Sequence, residues 1–484
     1  MTLKSFKEYH RLTSFEPGSL GGRGMDWAAQ PSVFKHYPGV EYVPLDRDVD
    51  LPKIRLSEVL QKGADSGRDG TGGGQGGSRM DIRSLSRILL LAHTLTAKSG
   101  RMGSEYYYRS AASAGALYPT ELYVALRGVT GLSDGVYHYN IAEHTLARLR
   151  QGDFTAFASR AMGIEGGSFS LSFFITGIFF RSAWKYGDRA FRYVLLDSGH
   201  VLENLALALA SEGLLFTVNY DFDDANLNTL LGVEPSREGC LAGISVGPRT
   251  SVQGEVQAPQ ALPETLVRAS RVSPYESEFP EIVSAYQETG ARQKKGPSKG
   301  LEFEDLGVLP GPWMHIPEAS PDQEIMDYAG AVFSRRSRRS FGCAPISRAK
   351  FKALLHMLFP VISQAPPHVS GQARNAMRTG FLVRCVQGLE PGFYALDREE
   401  RAVSLVREGA FLDAMANVCL GQGWLAGAGA HFLFLTDFKA LDKCFGPRGY
   451  RLALLEAGRM GQRVYLAITA LGLSCCGVGA FFDF

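Results

Sequence analysis

The sequence predicts an α+β protein built as a tandem duplication. Two repeated blocks and a matching order of apolar runs carry this reading. Residues 185–214, KYGDRAFRYVLLDSGHVLENLALALASEGL, align without a gap with 444–473, CFGPRGYRLALLEAGRMGQRVYLAITALGL. Gly187/Gly446, Arg189/Arg448, Arg192/Arg451, Gly199/Gly458 and Ala208/Ala467 are identical pairs. Residues 135–154, GVYHYNIAEHTLARLRQGDF, match 392–411, GFYALDREERAVSLVREGAF, at nearly the same offset. One similar apolar helix would carry little weight. Two blocks in one order and one spacing mark a duplicated domain.

Each half then reads as the same unit. LYVAL at 122–126 and FLVR at 381–384 alternate as strands, and GVYHY and GFYAL are strand-like. FFITGIFF at 173–180 and HFLFLTD at 431–437 are unbroken apolar runs of strand length, suited to a central strand. Residues 194–212 and 453–471 form long helices, apolar on most faces. The first domain is expected at 1–250, with an insertion at 16–80 that contains the glycine-rich stretch 63–79, read as a flexible loop. Residues 251–325, rich in Pro, Gln, Glu and Lys, are expected to connect it to the second domain at 326–484, with room for short helices of their own.

Lys+Arg total 51 against Asp+Glu 49, so no electrostatic ground exists for a nucleic acid or an anionic membrane as partner. No apolar run reaches the length of a membrane span, and MTLKSFKEYH lacks a signal-peptide core. The 7 cysteines are odd in number and show no CxxC or Cys/His ligand spacing. A reducing, cytoplasmic protein without a metal is expected.

Four segments carry chemistry. SRRSRRSF, Ser334 to Phe341, packs Arg335, Arg336 and Arg339 around Ser337, and guanidinium forks match phosphate oxygens. A solvated basic stretch has the same composition. LGLSCCGVGAFFDF closes the chain with Gly477, Val478 and Gly479, where backbone N–H groups can approach a phosphate or simply pack tightly. RSAASAGALYPTELYVAL turns on Ser113, Ala114 and Gly115, small enough to admit a flat ring against the backbone or to make a purely structural turn. SAWKYGDR holds Lys185 and Tyr186, both able to move protons, and burial there would bring a lysine towards neutrality. The second copy has Cys444 and Phe445 at those positions but keeps the following glycine and arginine, so only one half retains Lys-Tyr. Asp197, His200, Asn204 and Ser211 share one helix face, either lining a cavity or packing on a partner domain. In the second copy that stripe becomes Glu456, Arg459 and Arg463.

SAGALYPTELYVAL, GVYHYN, WKYGDRAFRYVLLDSGH and RRSRRSF together resemble the nitroreductase superfamily, and within it the SagB-type dehydrogenases, which include azoline oxidases. The resemblance covers nearly all of 80–247 and, more thinly, 326–484. It implies a nitroreductase-like fold in each half, the two closing as an intramolecular pseudo-dimer with FMN held where they meet. Arg335, Arg336, Ser337 and Arg339, with Gly477 to Ala480, would come from the second half, and Ser113, Ala114, Gly115, Ala116 and Leu117 from the first. The opposite site has only YHRLTSF at 9–15 and QARNAM at 372–377, so one FMN per chain is expected. By the same resemblance Lys185 is the base and Tyr186 its partner, and the reaction removes a ring proton and a hydride. On the cavity reading of the helix face, His200 and Asn204 line the substrate pocket.

The expected activity is therefore oxidation of an azoline or related C–N or C–C bond in a peptide or small-molecule intermediate, beside partner biosynthetic enzymes. An NAD(P)H-dependent reductase of nitro compounds or quinones, and a non-catalytic flavin-bearing scaffold, are the competing readings. Further dimerisation of the whole chain is left open.

Overall fold

The computed structural model describes residues 5–18, 24–65, 80–101, 104–251, 256, 258–292, 300–342, 344–359 and 376–483. Most of the glycine-rich stretch, and QARNAM up to residue 375, lie outside them. The first half holds a seven-stranded antiparallel sheet. Its spatial order is Tyr42–Pro44, Thr145–Gln151, Gly135–Asn140, Thr120–Leu126, Leu171–Ile178, Glu238–Val246, Phe216–Asn219. The second half holds five strands in the order Met314–His315, Ala402–Glu408, Gly392–Asp397, Arg378–Val383, Ala430–Leu435. The first five strands of one sheet thus correspond to all five of the other, in the same order, as duplication requires.

The apolar run FFITGIFF stays a strand only to Ile178. Phe179 starts a helix that runs through Tyr186, and Gly187 (φ 59°) ends it. Gly446 ends the matching helix Phe438–Phe445 with the same left-handed φ of 59°. The retained glycine of the repeat is therefore a helix stop, which a residue with a Cβ would strain. It puts Lys185 and Tyr186 on the last turn of a helix rather than in a loop.

Two long helices, Ala190–Ser211 and Arg448–Ala470, cross at the centre. A Cβ built on Gly199 would lie 2.8 Å from Gly458 Cα and closer still to the Leu455 carbonyl oxygen. One built on Gly458 would lie 2.9 Å from Gly199 Cα and closer still to the Leu196 carbonyl. Each glycine is the other's obstacle, so the pseudo-twofold axis passes between them. Because the obstacles are backbone, Gly458→Ala is expected to destabilise the chain by about 1–3 kcal/mol. Chemical denaturation measures this. A loss within about 0.5 kcal/mol, the range of an indifferent surface change, would show that the helices can part to make room.

The arginine pairs of the repeat make a reciprocal clasp. Arg189 and Arg192, at the start of the first long helix, ion-pair with Asp483 at 2.5 and 2.7 Å. Arg448 and Arg451 do the same with Asp224 at 2.9 and 2.7 Å. The repeat alignment, carried past residue 214, brings Phe222 and Asp224 onto Phe481 and Asp483. Arg448 lies 4.9 Å over the Phe222 ring and Arg189 5.7 Å over Phe481. Helix Phe6–Leu12 of the first half also packs on the second, with Phe6 against Phe438 and Tyr450. The stretch expected to be a connection contributes helix Pro280–Thr289. Its Tyr286 is buried, hydrogen-bonds Asn228 and lies 4.3 Å beneath Arg451.

Candidate functional site

The small-residue turn is a tight 3-10 piece, Ala114–Ala116, with left-handed φ at Gly115 (64°), Ala116 (55°) and Tyr118 (49°). Left-handed Ala and Tyr are strained and persist only where surroundings impose them. Ser113 Oγ donates to Asp197 Oδ2 at 2.5 Å and accepts from Tyr118 N–H at 2.9 Å. Ala114 N–H donates to the same carboxylate at 3.1 Å. Burial pushes the Asp197 carboxyl up to about 7, and these two hydrogen bonds pull it back only in part. Gly115 and Ala116 are left exposed, whereas Leu117 is buried beside Phe180 and Trp184.

Lys185 and Tyr186 face this turn. A Cβ on Gly115 would lie 2.6 Å from Tyr186 Oη and 3.1 Å from Lys185 Nζ. Lys185 is exposed, contrary to a buried lysine, and its Nζ stands 5.4 Å from the Tyr186 ring. Tyr186 packs on Tyr193 with ring centroids 4.6 Å apart. Burial raises its phenol above the ordinary range, Tyr193 and Asp197 add to this, and the Arg339 guanidinium opposes it. The hydroxyl therefore stays protonated at neutral pH. Arg339, from the opposite half, is thus close enough to be felt at Tyr186.

The arginine segment runs along the seam. Arg335 Nε donates to the Ser110 carbonyl at 2.7 Å and Nη2 to the Arg109 carbonyl at 2.9 Å, tying the halves together. Its Nη1 is buried without a hydrogen-bond partner among the described residues. Arg336 gives its Nη groups to the Phe333, Arg335 and Thr96 carbonyls. Two of the three arginines read as phosphate forks are therefore largely spent on backbone, a use that composition does not reveal. Ser337, Arg338 and Arg339 remain exposed. Cys475 bridges to Ser337 as a one-residue strand pair, which brings the closing glycines alongside. Tyr465 Oη joins them, meeting Ser337 Oγ at 2.8 Å and accepting from Gly477 N–H at 2.5 Å. The sequence reading passed over Tyr465. Its repeat counterpart is Ala206, and that divergence inside a retained apolar frame was the available signal.

His200 and Asn204 lie on the interhelical side. Gln462 Oε1 meets His200 Nδ1 at 3.0 Å, and Gln462 Nε2 donates to Asn204 Oδ1 at 2.8 Å and to the Ser110 carbonyl at 3.2 Å. Burial pushes His200 down to about 4, so it is neutral. Asn204 is fully buried. The mirror of this trio is Arg459, Arg463 and Glu203, joined by ion pairs of 2.9 and 2.5 Å. His200 and Asn204 thus meet Gln462 of the partner half through neutral contacts, where their counterparts Arg459 and Arg463 meet Glu203 through ionic ones.

The opposite seam is filled by side chains. Val218 and Tyr220 stand where the repeat places Gly477 and Gly479. The Tyr220 hydroxyl hydrogen-bonds the Glu456 carboxylate and accepts from Arg459 Nη1 at 2.9 Å. Phe445, the counterpart of Tyr186, is buried. Among the described residues, the first seam combines exposed small residues, the unpaired buried Nη1 of Arg335 and exposed arginines. These features fit a flavin, whose ring needs bare backbone and whose phosphate needs donors.

Fold and seam define a fused pseudo-dimer in which exposed small residues of one half face exposed arginines of the other. The chain belongs to the nitroreductase family, whose model matches residues 54–248 and 332–484. The recognition and fold class read from the sequence are both borne out. A Methanocaldococcus jannaschii protein named as a nitroreductase is 35% identical over 169 residues, 34% of this chain and 78% of its own length. The trifolitoxin-processing protein of Rhizobium leguminosarum is 28% identical over 174 residues, 34% of this chain but 47% of that protein. A solved structure from Anabaena variabilis, described as a nitroreductase, superposes over 99% of this chain and 94% of its own, with TM-score 0.74 and 26% identity. Among the described residues no helix is long and apolar enough to cross a membrane, and no group of His, Cys, Asp and Glu is arranged for a metal.

Proposed function

We propose that the chain is an FMN-dependent oxidoreductase of the SagB type, oxidising an azoline or related bond of a peptide intermediate, with one flavin per chain. The observation that supports this most is the meeting of Lys185 Nζ and Tyr186 Oη over Gly115. When bound, FMN supplies a two-electron acceptor. Ser337, Arg338, Arg339, the free Nη1 of Arg335 and the backbone around Gly477 to Gly479 would hold its phosphate end, and Ser113 to Leu117 would carry the ring. Lys185 Nζ takes the proton from the substrate carbon, and Tyr186, protonated by its burial, donates a hydrogen bond at the same face. A plain reduction of nitro groups needs no such base. The trifolitoxin-processing relative supports a peptide as substrate and neighbouring processing enzymes as partners.

The test is purified protein loaded with FMN and given a thiazoline-containing peptide. Mass spectrometry should show a product lacking two hydrogens, and absorbance should count one flavin per chain. Two flavins per chain would refute the single-site assignment. Rapid bleaching by NADPH with an inert thiazoline would transfer the protein to the reductase reading.

A further inference from the structure

We propose that Asp197 is a positioning residue, whose carboxylate fixes the strained Ser113–Tyr118 turn in the conformation that faces the cofactor. This rests on the flavin reading of the cleft and deepens it. The turn places three left-handed residues within four positions, two of them not glycine. Its backbone bonds are long, Ala116 N–H to the Ser113 carbonyl at 3.2 Å and Leu117 N–H to the Ala114 carbonyl at 3.4 Å. The shortest bond of the turn runs from Ser113 Oγ to Asp197, at 2.5 Å, and Ala114 N–H gives the same group a second at 3.1 Å. Ser113 passes the constraint onward, because the same oxygen accepts Tyr118 N–H. Asp197 has no cation within ion-pair distance among the described residues, unlike its repeat counterpart Glu456, which pairs with Arg459 at 2.8 Å. A carboxylate kept 5% exposed without a counter-ion is an expensive group to retain for packing alone. Here both of its oxygens are aimed at the turn. The half whose seam is filled uses the same helix position for an ion pair instead.

Two measurements decide it, on the full chain. In flavin-free protein, amide exchange should accelerate in Asp197→Ala at residues 113–118 by at least about tenfold, with the crossing helices unchanged, since two hydrogen bonds to the carboxyl group are lost. Asp197→Asn, which keeps one carbonyl acceptor, should restore most of the protection. In titrations with FMN followed by flavin fluorescence, Asp197→Ala should bind about tenfold more weakly and Asp197→Asn close to wild type. Unaltered exchange at 113–118 in Asp197→Ala overturns the proposal. If Asp197→Ala does not fold, Ser113→Ala removes the same tie from the turn side and is read the same way. Failure of wild-type protein to take up FMN would instead remove the flavin reading, while the exchange arm still judges the turn.

Discussion

Lys185→Ala is expected to leave the protein folded and yellow with FMN while slowing substrate oxidation by about 10²–10⁴-fold, the usual contribution of a positioned base. The side chain is exposed and makes no ion pair among the described residues, so its loss removes no support from the fold. Tyr186→Phe should cost less, because the ring stacked on Tyr193 stays and only the hydroxyl over Gly115 goes. Rapid-mixing measurement of flavin reduction by a thiazoline peptide reports the step directly. An unchanged rate in Lys185→Ala would remove it from the reaction.

Asp483→Ala is expected to destabilise the chain by about 3–5 kcal/mol, the range for stranding a buried charge. Here two guanidinium groups, Arg189 and Arg192, each no more than 5% exposed, lose one shared acceptor. Burial raises the Asp483 carboxyl, but the Arg189 hydrogen bond and the charges of Arg192 and Arg189 outweigh it and hold the group below the ordinary carboxylate range. Its contribution is thus full above the unfolded value of roughly 4 and is lost as pH falls further. Denaturant unfolding at neutral and acid pH checks both magnitude and sign. The variant should approach wild type in acid, and an equal gap at both pH values would deny the ion pair its role. Because Asp483 anchors the segment that carries Gly477 to Gly479, weaker flavin retention should accompany the loss.

The residues differ in how plainly the sequence announces them. Gly199 and Gly458 were legible as a repeated pair, because close helix approach leaves room for nothing else and so keeps both copies alike. The difference between the seams was legible in Cys444 and Phe445, since a Lys-Tyr pair kept in one copy only stands out against a shared frame. The clasp was legible too, had the alignment been carried as far as Asp224 and Asp483. The engagement of Arg335 and Arg336 with the carbonyls of Ser110, Arg109 and Thr96 was not. Backbone acceptors leave no mark in a sequence, so a structural arginine and a phosphate-binding one read the same. The stripe of Asp197, His200 and Asn204 divides for a similar reason. Helical spacing puts them on one face, but only the crossing angle decides that Gln462 reaches two of them and the Ser113 turn reaches the third.

The glycine crossing has one more consequence. In a dimer of identical chains, any substitution near the axis is made at both seams at once, so neither can be altered alone. Joining the copies in one polypeptide ends that coupling, and the partners also meet at an effective concentration that dilution cannot lower. Gly199 and Gly458 still hold the halves in twofold register, yet Tyr220 can close one seam while Gly479 keeps the other open. The chain therefore retains a twofold frame and is free to build its two seams differently.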